Sequence, residues 1–234
     1  MTPQQMIDQV KLKLNDEIEP RAFTDADILT ALNDAQNEFA QRTLCLFEGD
    51  GAVTIAASAS FVGLPIGVLW LTSAGLPSVS LRILTQHELD YGYFELSSVE
   101  VASRFSNWRQ AEGTPAFCLP DYGTQNMRIV PKPVVDTDIA LEYYRLPTAL
   151  IALAPEVNAE IPALYHSDLI IGALAYLYDI PDQETYDAEM AISKQVLWQK
   201  RVAIAARLLQ TVLRMQVRHL TPPPGVGFVL PTGE

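Results

Sequence analysis

The sequence predicts an α+β protein: a helical domain, made of an N-terminal helical hairpin plus two C-terminal helices with the last very long, into which a small antiparallel β domain is inserted. Three observations lead there. Apolar residues recur at helical spacing up to about Leu44, alternate with polar ones from Glu48 to Pro147, and return to helical spacing after Pro162. Two segments near the N-terminus carry capping boxes. A run from Asp182 to about His219 contains neither proline nor glycine. The divisions expected are 1–47 and 148–219 for the two parts of the helical domain, 48–147 for the inserted sheet, and 220–234 for an extended tail.

In the first helix Thr2 supplies a capping hydroxyl, Pro3 the first helical position and Gln5 the reciprocal side chain, and Met6, Ile7, Val10 and Leu14 form the apolar stripe. The segment from Asn15 to Pro20 ends it. Thr24 and Asp27 form the second capping box, Phe23 and Ile28 sit where a hydrophobic staple belongs, and Ile28, Leu32, Ala35 and Phe39 follow on one face. This helix should end between Arg42 and Leu44.

Gly49-Asp50-Gly51 reads as a turn. Short strands follow at Ala52–Ala56, Ser60–Leu64, Val68–Thr72 and Val79–Ile83, with Gly75-Leu76-Pro77 turning the chain. Thr85 and Glu88 cap a short helix from Gln86 to about Tyr91, and residues to Gln110 have no period. Strands resume at Ala116–Leu119, Asn126–Val130 and Asp138–Tyr144, separated by turns at Pro120–Gly123 and Pro131–Pro133. The antiparallel set is expected to form a sandwich or barrel. Pro147 to Glu160 is a linker. Pro162 opens a helix through Leu164, Leu169, Ile170, Ala173, Leu174 and Leu177, apolar nearly all round and therefore central to the helical domain. Asp179-Ile180-Pro181-Asp182 separates it from the last helix, whose apolar residues include Tyr186, Met190, Val196, Leu197, Val202, Ala205, Leu208, Leu209, Val212 and Leu213. At 1.5 Å per residue this run reaches roughly 57 Å.

The 234 residues carry a net charge of −12, unevenly spread. Residues 1–190 hold 10 Lys and Arg against 27 Asp and Glu, a balance of −17, whereas residues 191–219 hold six bases and no acid. Basic residues late in a helix suit its dipole, but an acid-free stretch of this length also offers a docking face to an acidic partner. The same asymmetry argues against a general nucleic-acid binder, which needs a broad basic face. The tail, Thr221-Pro222-Pro223-Pro224 through Phe228-Val229-Leu230-Pro231, cannot continue a helix and is too apolar for a solvated end. Cys45 and Cys118 form no metal or redox motif and read as buried free thiols. No signal peptide and no apolar stretch long enough for a membrane span is evident.

Enzymatic constellations are absent. There is no glycine-rich phosphate loop, nucleophile elbow or zinc-protease motif. His87, His166 and His219 are scattered, and His166 and Asp168 point apart on a helix. Asp25/Asp27 and Asp136/Asp138 fall at a helix start and a turn, where acids have structural uses, and neither pair forms a calcium loop. Tyr143, Tyr144, Trp108 and Phe117 are candidates for a ligand pocket, with core packing the stronger reading.

The order of pieces resembles a known family. Trp108 is followed by Gly113-Thr114-Pro115-Ala116-Phe117, then Arg128-Ile129-Val130-Pro131-Lys132-Pro133, Leu141-Glu142-Tyr143-Tyr144-Arg145-Leu146-Pro147, and Ile161-Pro162 opening the core helix. This series is similar to the head-to-tail adaptors of short-tailed bacteriophages, the tail tubular protein A or tail accessory factor family. The resemblance implies a structural virion protein, not an enzyme, with no cofactor and no metal. It implies a ring of twelve copies in the virion neck, assembled in the host cytoplasm, bound to the portal protein and the tail nozzle protein. Packaged DNA would pass through its channel without sequence-specific binding, and no membrane is involved. An acidic body and a basic last helix suit unlike faces meeting head to tail. The expected interface with portal or neighbouring subunits comprises Lys200, Arg201, Arg207, Arg214 and Arg218 with Phe228, Val229 and Leu230. Another tail-completion protein, or a carbohydrate- or small-ligand-binding protein using the sheet aromatics, is the alternative.

Overall fold

A computed structural model describes residues 1–14, 23–77, 79–83, 110–121, 123–148, 159–180 and 188–220, with side chains from 210 onward and that of Val79 left aside. Its described elements are helices α1 (Pro3–Leu14) and α2 (Asp25–Thr43), strands β1 (Phe47–Ile55), β2 (Phe61–Gly63), β3 (Val68–Leu76), β4 (Val79–Ile83), β5 (Phe117–Asp121), β6 (Asn126–Val130) and β7 (Thr137–Arg145), a 3₁₀ turn (Ala163–Tyr165), and helices α3 (His166–Tyr178) and α4 (Ala188–Leu220).

The expected architecture is overturned. The strands do not make a small antiparallel insertion. They form one seven-stranded sheet in the order β1-β7-β3-β4-β5-β6-β2, and β4 pairs with β5 in parallel, Arg82 with Phe117 and Ile83 with Cys118. The sheet curls into a half-barrel, so that β1 and β2, at opposite ends of that order, approach each other. The physical reason lies in the connection from Ile83 to Phe117. Parallel neighbours need a crossover of a dozen residues or more, and this connection is long enough, whereas β3–β4 and β5–β6 are joined as antiparallel hairpins. Nor does a very long last helix organise the molecule. Helix α4 is described over 33 residues, and its contacts lie with α2 and α3 at one end of a fold whose broadest pairing runs through the sheet. The expected start of that helix, Asp182–Asp187, and the segments 15–20, 86–109 and 221–234 lie outside the described residues.

Both N-terminal helices begin where their local chemistry directs. The Gln5 amide N–H donates to Thr2 Oγ1 at 3.3 Å and the Thr2 N–H to Gln5 Oε1 at 2.9 Å. In α2 the Asp27 N–H donates to Thr24 Oγ1 at 3.2 Å and the Thr24 N–H to Asp27 Oδ2 at 2.8 Å. Phe23 and Ile28 are both buried. Leu44, in the left-handed region at φ 52°, closes α2. Asp25 pairs with Lys11, tying the two helices together.

Strand β1 is longer than the glycine signal allowed. Gly49-Asp50-Gly51 is a bulge inside the strand, because the register against β7 shifts between Glu48 and Gly51. A Cβ on Gly51 would lie 2.4 Å from Tyr143 Cε1, so glycine is what lets the ring lie across β1. Gly75 and Leu76 likewise belong to β3. Pro120 pairs with Met127 of β6 and lies beyond the short parallel contact with β4, so its missing N–H leaves no ladder bond unmade.

Two apolar clusters result. One joins α1, α2, α3 and the first half of α4. The other fills the concave side of the sheet with Ile55, Leu71, Met127, Ile129, Ile139, Leu141 and Tyr143. Arg145 joins the two ends: its Nη1 donates to Glu160 Oε2 at 2.6 Å, its Nε lies 3.4 Å from Glu48 Oε2, and the Glu160 N–H donates to Gln36 Oε1 at 3.2 Å.

Candidate functional site

Helix α4 is the element on which the expected interface residues lie, and its burial separates its faces. Ala191, Trp198, Val202 and Ala205 are buried, and Trp198 is fully covered. These positions are seven, four and three apart, one stripe of a helix packed on α2 and α3. Gly172 of α3 sits beneath the Trp198 ring, where a Cβ would come within 3.1 Å of it and 2.8 Å of Ala35 Cβ.

A polar hub holds this stripe in place. The Glu38 carboxylate of α2 accepts from Trp198 Nε1–H at 2.5 Å, Tyr176 O–H at 2.9 Å, Arg42 Nη1–H at 2.8 Å and Gln199 Nε2–H at 3.4 Å. Burial pushes the Glu38 carboxyl up, but the donors Trp198, Arg42 and Tyr176 outweigh it and hold the group below its ordinary value. The Tyr176 hydroxyl is pushed up, by burial and by the carboxylate it donates to. The hub fixes the rotation of α4 about its axis and therefore which side chains face outward.

Several of the residues read as the apolar stripe of the last helix face outward. Val196 is 62% exposed, Leu208 58%, Met190 38% and Leu197 37%, and Ile192 and Ile204 join them at 67% and 46%. Trp198, the residue on which the packing turns, was missing from that stripe. Its heptad relation to Ala191 and Ala205 is the signal that finds it. Among the expected interface residues, Lys200 and Arg207 are exposed and share the outward ridge with Val196. Arg201 lies to one side, half exposed, with its Nε 3.9 Å from Asp168 Oδ1 of α3. Burial raises the Asp168 pKa and Arg201 opposes that rise. Arg214 and Arg218 lie on the helix where side chains are not described, and Phe228, Val229 and Leu230 lie outside the described residues.

A second outward surface lies on the convex side of the sheet. Phe47, Tyr144 and Trp70 occupy paired positions on β1, β7 and β3 and so share one face. The Phe47 and Tyr144 ring centroids are 5.4 Å apart. Phe47 and Trp70 are 53% and 55% exposed. Glu142 and Asp138 continue the same face of β7, both exposed.

The other candidates resolve into structure. Tyr143, Tyr144 and Phe117 are buried, and Trp108 lies outside the described residues. A cleft of about 650 Å³ lies instead beside Phe61, Asp121, Asn126 and Arg128, with the Arg128 guanidinium 4.7 Å from the Phe61 ring centroid. Asp136 Oδ1 accepts the Ala57 N–H at 2.9 Å, and Asp138 Oδ1 accepts from Thr54 Oγ1 at 2.6 Å. His166 is buried, with Nε2–H donating to the Ile161 carbonyl at 2.9 Å and Nδ1 3.1 Å from the Met1 amino nitrogen. Burial lowers its pKa. Cys45 and Cys118 are free thiols, and burial pushes Cys118 up to about 12. Among the described residues no three His, Cys, Asp or Glu gather as metal ligands, and no helix is long and apolar enough to cross a membrane.

Comparison with known proteins gives one family. A family model described as SU10 adaptor protein matches residues 1–223. No curated protein matches the chain.

Proposed function

We propose that this chain, which belongs to the SU10 adaptor protein family and so to the structural head-to-tail adaptors of phages, is one subunit of a ring of twelve that docks beneath the portal protein, meets the tail nozzle and continues the DNA channel. In this reading the segment 220–234 reaches the portal and the sheet region (48–147) faces the tail. One observation supports it above others. Helix α4 presents Ile192, Val196, Ile204 and Leu208 to the outside beside Lys200 and Arg207. Exposed aliphatic side chains in such number on one helix signal a protein partner. In this reading Arg214, Arg218, Phe228, Val229 and Leu230 also belong to the docking contact. The acidic remainder suits a channel wall over which DNA slides without being held.

The test is deletion of residues 220–234. The truncated chain is expected to keep its helical circular dichroism and thermal midpoint and to lose assembly onto purified portal protein in native mass spectrometry. Unchanged assembly of the truncation on portal would remove the docking assignment. The cleft beside Phe61 and Arg128 favours a second reading, a glycan- or small-ligand-binding protein. A glycan array with the full chain separates the two, since an adaptor leaves it blank.

A further inference from the structure

We infer that the outward ridge of α4 and the convex face of β1-β7-β3 are the two halves of one head-to-tail contact between copies of this chain. The inference rests on the ring reading above and names the surfaces that close it. Each surface is apolar at one end and charged along its length, with opposite sign. On α4, Val196, Lys200 and Arg207 share one ridge, with Ile192 a turn before Val196. On the sheet, the exposed Phe47 and Trp70 rings flank the buried Tyr144, and Glu142 and Asp138 follow it along β7.

The spacings agree. From Val196 the helix reaches Lys200 after about 6 Å and Arg207 after about 16 Å at 1.5 Å per residue. From Tyr144 the strand reaches Glu142 after about 7 Å and Asp138 after about 20 Å at 3.4 Å per residue. A helix laid antiparallel to β7 therefore sets Val196 over the aromatic row, Lys200 against Glu142 and Arg207 within side-chain reach of Asp138. The contact cannot close within one chain, because the Glu38 hub and the Trp198 stripe hold α4 on α2 and α3 at the other end of the fold. Two unlike surfaces at separate ends of one molecule generate a ring or a filament when copies repeat the contact.

The experiment uses the full chain. Glu142→Cys and Lys200→Cys variants, mixed and oxidised in the presence of purified portal protein, are expected to form disulfide-linked dimers that neither variant forms alone. Glu142→Lys and Lys200→Glu should each weaken self-association by about tenfold or more, and an equal mixture or the double variant should return to within about threefold of the unmodified chain. If the chain forms rings but the mixed cysteines stay unlinked and the reversals do not rescue each other, this contact is wrong and the ring reading stands. If the chain stays monomeric with and without portal, the ring reading falls and the contact falls with it.

Discussion

Glu38 gathers donors from three helices onto one carboxylate, which makes it the residue whose loss reaches furthest. Replacing it with alanine strands the Trp198 N–H and Tyr176 O–H in a largely covered site, at a cost of about 2–4 kcal/mol for two unmet donors. Chemical denaturation of Glu38→Ala checks this, and an unchanged midpoint would remove the hub from the account. The hub also sets an acid limit. Glu38 ionises at lower pH in the folded chain than in the unfolded one. Its contribution is therefore complete above the unfolded carboxylate value of about 4.3 and is lost as pH falls through the folded value. His166 acts earlier. Its pKa is depressed by burial, so the unfolded chain takes the proton more readily and stability declines once pH drops below about 6.5. Denaturation midpoints followed from neutral to acid pH should fall in two stages, and Glu38→Gln should flatten the lower one. Gly51→Ala tests a steric point: with a Cβ 2.4 Å from the Tyr143 ring and 3.0 Å from the Leu141 carbonyl, overpacking should cost about 1–3 kcal/mol.

At the scale of elements, α4 divides into a covered stripe and an outward ridge, and the two should answer differently to mutation. Trp198→Ala removes a fully buried ring and should cost about 3–5 kcal/mol. Val196→Ala, on the opposite face, should change monomer stability by no more than about 0.5 kcal/mol. Thermal melts of the two variants side by side decide whether the faces are assigned correctly. The caps of α1 and α2 were legible beforehand because each is closed within three residues, Thr2 with Gln5 and Thr24 with Asp27. The covered face of α4 was not. Its sequence offers apolar residues on several sides, and Val196 and Leu197 fit a helical stripe as well as Trp198 does. Only packing against Gly172, Ala35 and Glu38 chooses among them. The bulge at Gly49–Gly51 escaped for a similar reason, since a glycine pair that ends a strand and one that admits a neighbouring ring look alike until Tyr143 is in place.

At the scale of the whole molecule, opposite charges at separate ends give self-association a salt dependence. If Lys200 and Arg207 meet Glu142 and Asp138, raising ionic strength from about 0.05 to 0.5 M should weaken association markedly, because exposed pairs are screened over a few ångströms at the higher value. Sedimentation across that range provides the check, and salt-independent association would point to the apolar contacts alone.

The sequence by itself determined where α1 and α2 begin, which segments alternate as strands, and that basic and acidic residues are segregated along the chain. These features rest on interactions between residues two to four apart, or on composition. The tertiary structure decided the order of the strands, the parallel pairing of β4 with β5, the curl that brings β1 near β2, and the outward ridge of α4. Each depends on residues far apart in the chain competing for the same partner, and local spacing carries no record of which competitor is buried.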